Sequence, residues 1–389
     1  MSKVVIIRCE SYDKEQVYQG IKRGVDILGG IRQFVAPSEK ILLKPNMLRS
    51  KKMESGCTTH PAVFEAVIRL LEEANCTRLV YGDSPGMGAP EKVAQDVGLA
   101  GVAKAHGIPL GVFSKGQSVA FPKGKSTKAF ELAQTVIDSD AIISLSKMKT
   151  HGLTRITGAI KNQFGCVYGF NKGASHARFP DALTFSNMLV DLNLMLKPRL
   201  FIMDGIIAME GNGPASGTPI PMNCLILSDD PVAIDATFAR MVALDPSYVP
   251  PIVAGAKRGL GVCDEDQIML LGDDFKSLIN RDFSVERIPV KSENTIALSR
   301  LKYVRNFLTR KPVVIKERCI SCGACVASCP LEEKAIAFRE VGGRRIPTYN
   351  YHRCIRCYCC QEMCPQKAIV VKTPFLGKLF IYRKSSGEE

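Results

Sequence analysis

The sequence predicts an α/β protein in which a large domain with a mainly parallel sheet is followed by a small α+β domain. Three observations lead to this prediction. Short apolar runs alternate with helical stretches over residues 1–290, nine of the fifteen cysteines fall between Cys319 and Cys364, and the 389 residues are 46% hydrophobic and 23% charged. This composition is that of a globular protein long enough for two or three domains, and it excludes a mainly disordered chain.

The large domain is predicted from its strands and helices. Apolar runs bounded by polar residues suit the buried strands of a mainly parallel sheet, and they occur at residues 4–7, 40–44, 78–81, 141–145, 199–203 and 223–227. Helical stretches lie between them at residues 15–28, 61–73 and 229–244. The second helix has Pro61 at a first-turn position, where proline is favoured, and apolar residues at helical spacing.

Polar, Gly- and Pro-rich motifs come directly after several predicted strands. They are residues 44–46, 82–86, 146–151, 204–205, 210–214 and 228–231. The carboxyl ends of parallel strands are where open α/β sheets bind ligands, so we expect a pocket at this edge. For any single motif, ordinary turn chemistry explains the same residues. Neither a P-loop nor a G-x-G-x-x-G fingerprint is present, so we expect neither ATP hydrolysis nor standard dinucleotide binding.

Five residues of these segments are candidates for catalysis. His151 and His60 could move protons near neutral pH, and Asp83 could act as an acid or as a metal ligand. Lys149 and Lys161 could present positive charge to a carboxylate or phosphate. Each type of residue also has a structural explanation, because Asp83 can cap a turn, Lys161 can be solvated and His60 can orient the helix that follows it.

Three further residues, Asn46, Asn162 and Glu210, are predicted to bind a cofactor or ligand. Glu210 could also hold a divalent metal, although the ligand spacing gives no support for a single metal ion. His176 lies in another Gly-rich segment and is a further candidate proton carrier. A flavin has no reliable short motif, so the sequence leaves its presence open.

The clustered cysteines form two runs with the same spacing. Residues 319–330 and 354–365 both follow C-x2-C-x2-C-x3-C-P, the spacing of bacterial proteins with two [4Fe-4S] clusters. Three closely spaced thiolates wrap one cubane, and the fourth reaches the other cluster. The predicted ligands are Cys319, Cys322, Cys325 and Cys364 for cluster 1, and Cys354, Cys357, Cys360 and Cys329 for cluster 2.

The cysteine block resembles the bacterial-type ferredoxins over residues 313–372, which implies that its clusters carry electrons. A pair of zinc sites is an alternative, but zinc sites usually show two separated C-x2-C pairs. Clusters that only stabilise the fold are a second alternative. Cys359 falls outside both ligand sets and is interpreted as a spare thiol, although a slip of one ligand position to it is conceivable.

The N-terminal motifs together resemble the domain of unknown function 362 family, which is often fused to a ferredoxin-like C-terminus. The matching pieces lie at residues 43–46, 58–61, 82–86, 147–151, 158–162 and 204–205, within a resemblance that covers about residues 35–250. The resemblance implies an iron–sulfur redox protein. It supplies neither an established substrate nor catalytic residues.

The predicted domains are residues 1–294 for the α/β domain, 295–312 for a basic linker helix, 313–374 for the ferredoxin-like domain and 375–389 for a tail. The linker and tail could lie on a membrane surface, although packing against the protein is the more common outcome for such segments. No run approaches 18 apolar residues, and the apolar run at the start is too short for a signal peptide. We therefore expect a cytoplasmic protein.

The net charge of +14 helps to predict which classes of molecule bind the protein. Two clusters with their thiolates remove about four of these charges, and the remaining surplus is diffuse. It favours an anionic small molecule or an acidic redox protein over nucleic acid.

We predict an iron–sulfur oxidoreductase that passes electrons from a donor protein through two [4Fe-4S] clusters to a small anionic substrate in the N-terminal domain. The alternatives are a non-catalytic electron-transfer subunit that docks a partner redox enzyme, and a redox-sensing regulatory protein.

Overall fold

The computed structural model describes residues 1–169, 171–289 and 302–380. The strands are β1 Ser2–Arg8, β2 Ile41–Pro45, β3 Leu79–Tyr81, β4 Gly116–Ala120, β5 Ala129–Ala133, β6 Ala141–His151, β7 Arg155–Thr157, β8 Leu200–Glu210, β9 Thr218–Ser228, β10 Ile268–Gly272, β11 Lys311–Val314, β12 Ile336–Val341, β13 Arg344–Tyr349 and β14 Ile369–Lys372. The helices are α1 Lys14–Ile27, α2 Pro61–Glu73, α3 Pro90–Asp96, α4 Leu99–Ala105, α5 Gln134–Ile137, α6 Ala159–Asn162, α7 Asn171–Arg178, α8 Ala182–Leu196, α9 Pro231–Met241, α10 Pro250–Lys257, α11 Lys302–Leu308, α12 Ala324–Ala327, α13 Cys359–Glu362 and α14 Phe375–Phe380.

The predicted α/β class is confirmed by one large sheet with the strand order β10-β1-β9-β8-β6-β2-β3, in which β7 pairs with β6. β3, β2, β6 and β8 run parallel to one another, and β9 runs antiparallel to both β8 and β1. Since β2, β3, β6 and β8 share one direction, the segments that follow them meet at one edge of the sheet.

Both faces of the sheet are buried, which explains why its strands are continuous apolar runs. Along β1, Val4 and Ile6 belong to the core on one face, whereas Val5 and Ile7 belong to the core on the other. Successive side chains of a strand point to opposite faces, so an unbroken apolar run fills two cores at once.

Helix caps fix where two of the helices that flank the sheet begin. α2 starts at Pro61, and the ring Nδ1 of His60 accepts a hydrogen bond from Ala62 N at 3.1 Å. α9 also begins with proline, and the Asp230 side chain accepts from the amides of Val232 and Ala233 at 2.8 and 2.9 Å. Each cap satisfies backbone donors that a helix end leaves unpaired.

Strand β6 is longer than the sequence predicts. The prediction ends it at residue 145 and places the polar motif of residues 146–151 directly after it, but the strand continues to His151 and its last residues pair with β7. Every residue of β6 is buried, including its lysines. The segment therefore carries its polar side chains into the interior on a strand.

The C-terminal region is built from two small antiparallel pairs, β11 with β14 and β12 with β13. The second pair is a hairpin, and its turn contains Gly342 and Gly343 with φ of 59° and 72°. Residues 295–301 of the predicted linker and 381–389 of the predicted tail lie outside the described residues. In the described part of the chain, no helix is long and apolar enough to cross a membrane.

Candidate functional site at the domain junction

Three lysines are buried at the carboxyl edge of the large sheet. Lys44, Lys147 and Lys149 are 0%, 2% and 1% exposed. Lys44 Nζ lies 3.0 Å from Asp83 Oδ1, and Lys147 Nζ lies 2.7 Å from Asp204 Oδ2. These two cations are paired with carboxylates, as buried charges generally must be.

Lys149 is held differently, because its partners carry no formal charge. Its Nζ donates to Asn46 Oδ1 at 2.8 Å and to Cys57 O at 2.7 Å. Burial lowers the pKa of the Lys149 ammonium to about 8. At neutral pH the ammonium therefore adds a positive charge that no neighbouring carboxylate cancels through a direct ion pair.

The predicted ligand-binding residues Asn46 and Asn162 lie in the same network. Asn46 Nδ2 donates to Asn162 Oδ1 at 3.3 Å, and Lys44 Nζ donates to the same oxygen at 3.0 Å. Asn162 Nδ2 in turn donates to Lys44 O and Ser144 Oγ. The two amides thus fix the positions of Lys44 and Lys149 relative to each other.

His151 connects the N-terminal domain to the cysteine-rich region. Its Nε2 lies 2.9 Å from Glu362 Oε1, and both residues are buried. Its Nδ1 accepts hydrogen bonds from Leu153 N at 3.0 Å and Thr154 N at 3.3 Å. Since Nδ1 accepts, the ring proton of a neutral His151 is on Nε2, the nitrogen nearest Glu362.

The ionisation of this pair follows from its surroundings. Burial, together with the nearby Lys161, lowers the pKa of His151 to about 4, although Glu362 opposes the shift. Burial tends to raise the pKa of Glu362, but His151 and Lys161 outweigh it and hold the pKa well below its ordinary value. A neutral imidazole therefore lies 2.9 Å from a carboxylate across the junction.

Helix α13, which bears Glu362, docks against the N-terminal domain over its whole length. Arg49 Nη1 donates to Glu362 O at 3.3 Å, and the fully buried Gln361 donates through Nε2 to Asn212 O at 2.9 Å and Gly213 O at 3.1 Å. The ring of Tyr358, just before the helix, belongs to the main hydrophobic core of the large domain. These contacts bury His151, Tyr358 and Glu362 at the junction.

The remaining candidates are distributed as follows. Asp83 and Lys161 lie in the lysine-rich region, where burial lowers the pKa of Lys161 and Glu362 and Cys359 partly oppose that shift. His60 lies beside the Lys147–Asp204 pair, because its backbone N donates to Asp204 Oδ2 at 3.0 Å. His60 caps α2 and stacks on Tyr12 at 3.6 Å, so its Nδ1 is committed to a backbone amide. Glu210, at the end of β8, accepts from Ser284 N at 2.7 Å.

The structure groups eight of the cysteines around two cavities. One cavity, of about 340 Å³, is lined by Cys319, Cys322, Cys325 and Cys364. The other, of about 330 Å³, is lined by Cys329, Cys354, Cys357 and Cys360. The fourth cysteine of each run lies at the cavity of the other run, as expected for crossed ligation of two cubanes.

The donors around these cavities suit a cluster with negatively charged sulfur. Ser321 N donates to Cys319 Sγ at 3.5 Å, Ala368 N donates to Cys364 Sγ at 3.2 Å, and the hydroxyl of Tyr349 donates to Cys360 Sγ at 3.1 Å. Across residues 1–169, 171–289 and 302–380, no three His, Cys, Asp or Glu side chains converge on a point that a single metal ion could occupy. The cysteines therefore fit cubanes, which hold their ligands further apart than one zinc ion does.

Cys359 lines neither cavity but lies between the second cavity and the N-terminal domain. Its thiol hydrogen-bonds to Cys357, a residue of that cavity, and it contributes to the electrostatic field at Lys161. It is buried, as are its neighbours in α13.

Sequence reasoning missed Glu362 altogether. Its only signal is an acidic side chain between two cysteines of a ligand run, and such a residue is usually solvated. Lys147 was recognised within a motif but given no role, and the sequence does not show that its partner is Asp204. Both pairings join residues far apart in the chain, so only the docked structure reveals them.

Comparison with known proteins agrees with this architecture. Residues 41–240 match the family described as domain of unknown function (DUF362), and residues 318–368 match a 4Fe-4S dicluster domain. The chain belongs to the DUF362 family. It is 34% identical over 261 residues to a thylakoid-associated protein of Synechocystis sp., an alignment that covers 67% of this chain and 80% of the relative. The predicted fusion of a DUF362 domain to a ferredoxin-like C-terminus is thereby confirmed, and with it a capacity for iron–sulfur electron transfer.

One solved structure aligns with part of this DUF362 protein. The lactate racemase apoprotein of Thermoanaerobacterium thermosaccharolyticum aligns with a TM-score of 0.42 and 9% sequence identity. The alignment covers 64% of this chain and 58% of the racemase chain.

Proposed function

We propose that this DUF362 protein is an iron–sulfur oxidoreductase that passes electrons through two [4Fe-4S] clusters to a small anionic substrate at the edge of the N-terminal sheet. One observation carries the proposal. Helix α13 holds Cys360 of one cavity, directly precedes Cys364 of the other, and presents Glu362 to His151 of the sheet edge. The predicted cluster ligands and the predicted catalytic residues are therefore parts of one packed unit.

The two four-cysteine cavities would hold the clusters, with Cys319, Cys322, Cys325 and Cys364 around the first and Cys329, Cys354, Cys357 and Cys360 around the second. When bound, such clusters supply single electrons. The first cavity faces the surface, since Cys322 is exposed and Ile320 is 59% exposed. We propose that an electron donor or acceptor protein docks at this exposed loop.

The polar residues of the junction would bind and orient the substrate. Among the described residues, five lysines of the junction face three carboxylates, Asp83, Asp204 and Glu362; the lysines are Lys44, Lys147, Lys149, Lys161 and Lys172. This imbalance favours an anion, because a charge in a region of low dielectric interacts strongly with its neighbours. His151 holds a proton at Nε2, and the docking of α13 and Tyr358 keeps bulk water away from it.

The proposal is tested with protein purified and chemically reduced without oxygen. After the excess reductant is removed, small carboxylates and phosphorylated compounds with a reducible C=O or C=C bond are added one at a time. We expect one class to abolish the electron paramagnetic resonance (EPR) signal of the reduced protein and to appear as a reduced product by mass spectrometry. The double variant Lys149→Ala/His151→Ala should retain its iron and lose this reaction, whereas the surface control Lys123→Ala/His106→Ala should retain both. Activity that survives in the junction variant would show the site to be misassigned.

A non-catalytic electron-transfer subunit is the second candidate, and the burial of the sheet edge favours it. Lys44, Lys147 and Lys149 are at most 2% exposed, so a substrate reaches Lys149 only if the junction opens. If no small molecule reoxidises the reduced protein while a partner redox protein does, this second function is the correct one.

We further propose a cytoplasmic location, which rests on the sequence and on the use of so many cysteines as metal ligands. The thylakoid association of the Synechocystis relative makes attachment to a membrane surface the competing location. Fractionation of the cells that express the protein distinguishes the two.

A further inference from the structure

A second polar group lies at the junction beside the His151–Glu362 pair, formed by Lys161 on α6, His176 on α7 and Cys359 on α13. Lys161 Nζ lies 5.9 Å from the ring centre of Phe164. The His176 ring packs edge-on against the same Phe164 at 5.8 Å and stacks on Phe185 at 4.4 Å. Lys161 and His176 are thus brought together around one phenylalanine ring.

Polar atoms of this group have no partner in the described part of the chain. His176 is 5% exposed, and its Nδ1 makes no hydrogen bond there. Lys161 forms neither a hydrogen bond nor an ion pair with any described residue, and its Nζ faces the ring of Phe164. A buried polar atom without a partner costs free energy, so His176 Nδ1 favours a ligand that can supply one, and the unpaired ammonium of Lys161 favours an anion.

The neighbouring carboxylates are engaged elsewhere. Asp83 is paired with Lys44, Asp204 with Lys147, and Glu362 with His151. Lys161 therefore interacts with Glu362 only through space. His176 is kept neutral by burial, which lowers its pKa to about 3. The group as a whole is one ammonium and one neutral imidazole, which suits an oxyanion that accepts a hydrogen bond from each.

The group also lies next to the second cysteine cavity. Cys359 hydrogen-bonds to Cys357 of that cavity and also acts electrostatically on Lys161. Gly173 of α7 is close to Pro330, which lines the same cavity, because a Cβ at this glycine would lie 4.0 Å from the proline ring. Unlike Lys149, Lys161 is partly exposed. A small ion can therefore reach this position from solvent.

We propose that Lys161 and His176 form the binding site for an oxyanion, a carboxylate or a phosphate group, at the α6–α7 edge of the junction. The proposal rests on the proposed function in one respect, since it takes this oxyanion to be the anionic part of the substrate. It differs from the sequence prediction by making His176 a ligand-binding residue and by placing the anion beside Cys359 and not on Lys149.

The test is calorimetric titration of the oxidised, cluster-loaded protein with sodium acetate and, separately, with inorganic phosphate. We expect saturable binding of at least one of them, and the one that binds identifies the source of the oxyanion. Lys161→Gln should weaken that binding about ten- to a hundredfold, the loss expected for one charge-assisted hydrogen bond. His176→Phe, which retains the stacking on Phe185, should weaken it about tenfold.

Three controls make the outcome decisive. Lys123→Gln, an exposed lysine, should bind as the wild type does. Lys161→Arg should restore most of the affinity because it restores the charge, and iron content shows whether each variant is folded. Absence of saturable binding by either anion, or binding unchanged in both Lys161→Gln and His176→Phe, would overturn the inference. Intact binding without any substrate reduction would instead count against the proposed function alone.

Discussion

The imidazole Nε2 of His151 lies 2.9 Å from the carboxylate Oε1 of Glu362, and this contact joins the last residue of β6 to the helix between the two cysteine cavities. Both side chains are buried, so neither can be replaced by water when its partner is removed. The pair therefore couples the folding of the cysteine-rich region to the edge of the large sheet.

Removal of the whole Glu362 side chain should destabilise the protein more than removal of its negative charge alone. Glu362→Ala leaves the His151 Nε2–H without an acceptor and should lower the free energy of unfolding by about 3 kcal/mol. Glu362→Gln retains an acceptor oxygen and should cost about 1 kcal/mol. Denaturant unfolding followed by circular dichroism measures both. Equal losses in the two variants would mean that the hydrogen bond contributes little.

The ion pair of Lys44 and Asp83 has room to form because residue 165 is a glycine without a side chain. A Cβ at residue 165 would overlap Asp83 Oδ1 and lie 2.8 Å from Lys44 Nζ. Gly165→Ala should therefore separate the two charges and lower the free energy of unfolding by about 3 kcal/mol or more. Gly101 in α4 is the matched control, because a Cβ there meets nothing within 4 Å. Gly101→Ala should raise stability by about 0.5–1 kcal/mol, since alanine is the better helix former.

Asp235 gives the protein a pH-dependent stability. It is buried, its carboxylate accepts from the amides of Ala159 and Ile160, and burial raises its pKa from 3.8 to about 7. The folded state therefore favours the protonated form. The stabilisation is complete below pH 3.8 and is lost as the pH rises towards about 7, by about 1.4 kcal/mol per pH unit.

The measurement is the free energy of unfolding of wild type and Asp235→Asn across pH 4–7. The variant should be less stable at low pH, because an amide offers one acceptor oxygen in place of two. It should, however, lack the loss of unfolding free energy with rising pH that Asp235 causes in the wild type. Identical slopes in the two proteins would contradict the assignment to Asp235.

Substitution of Cys359 distinguishes two possible ligand sets for the second cluster, one that contains Cys360 and one that contains Cys359. It lies outside both cavities, so Cys359→Ser should retain all of the iron. Cys360→Ser, one residue along the same helix, should lose about four irons, because Cys360 lines the second cavity. Iron and sulfide assays on protein purified without oxygen provide the count. The reverse result would mean that the ligand position has slipped by one residue.

Much of the fold could be predicted because each part depends on local sequence. The strands that cross the centre of the sheet are apolar runs, and the prolines and caps at Pro61 and Asp230 mark where helices begin. The spacing of the cysteines depends on the geometry of a short loop, so the sequence alone suggested which four belong together. The structure places the same four around each cavity.

The candidate site could be predicted only in part, because its geometry depends on docking. Lys149 and His151 were recognised as candidates, but their motif was expected after the strand and is in fact the buried end of β6. Residues 146–151 are extended because they pair with β7 and β8. The sequence of these residues does not by itself indicate that pairing. The partner of His151 comes from the other domain, and no local pattern in the sequence connects it to Glu362.

The most direct test of the account is a count of iron and acid-labile sulfide in the protein purified without oxygen, combined with EPR spectra of its reduced form. The account predicts about eight irons and eight sulfides per chain, together with reduced [4Fe-4S] signals in the wild type. In Cys329→Ser the signal of the second cluster alone should be lost, and in Cys364→Ser that of the first. About four irons in the wild type, or zinc in place of iron, would contradict the two-cluster assignment on which the proposed function rests.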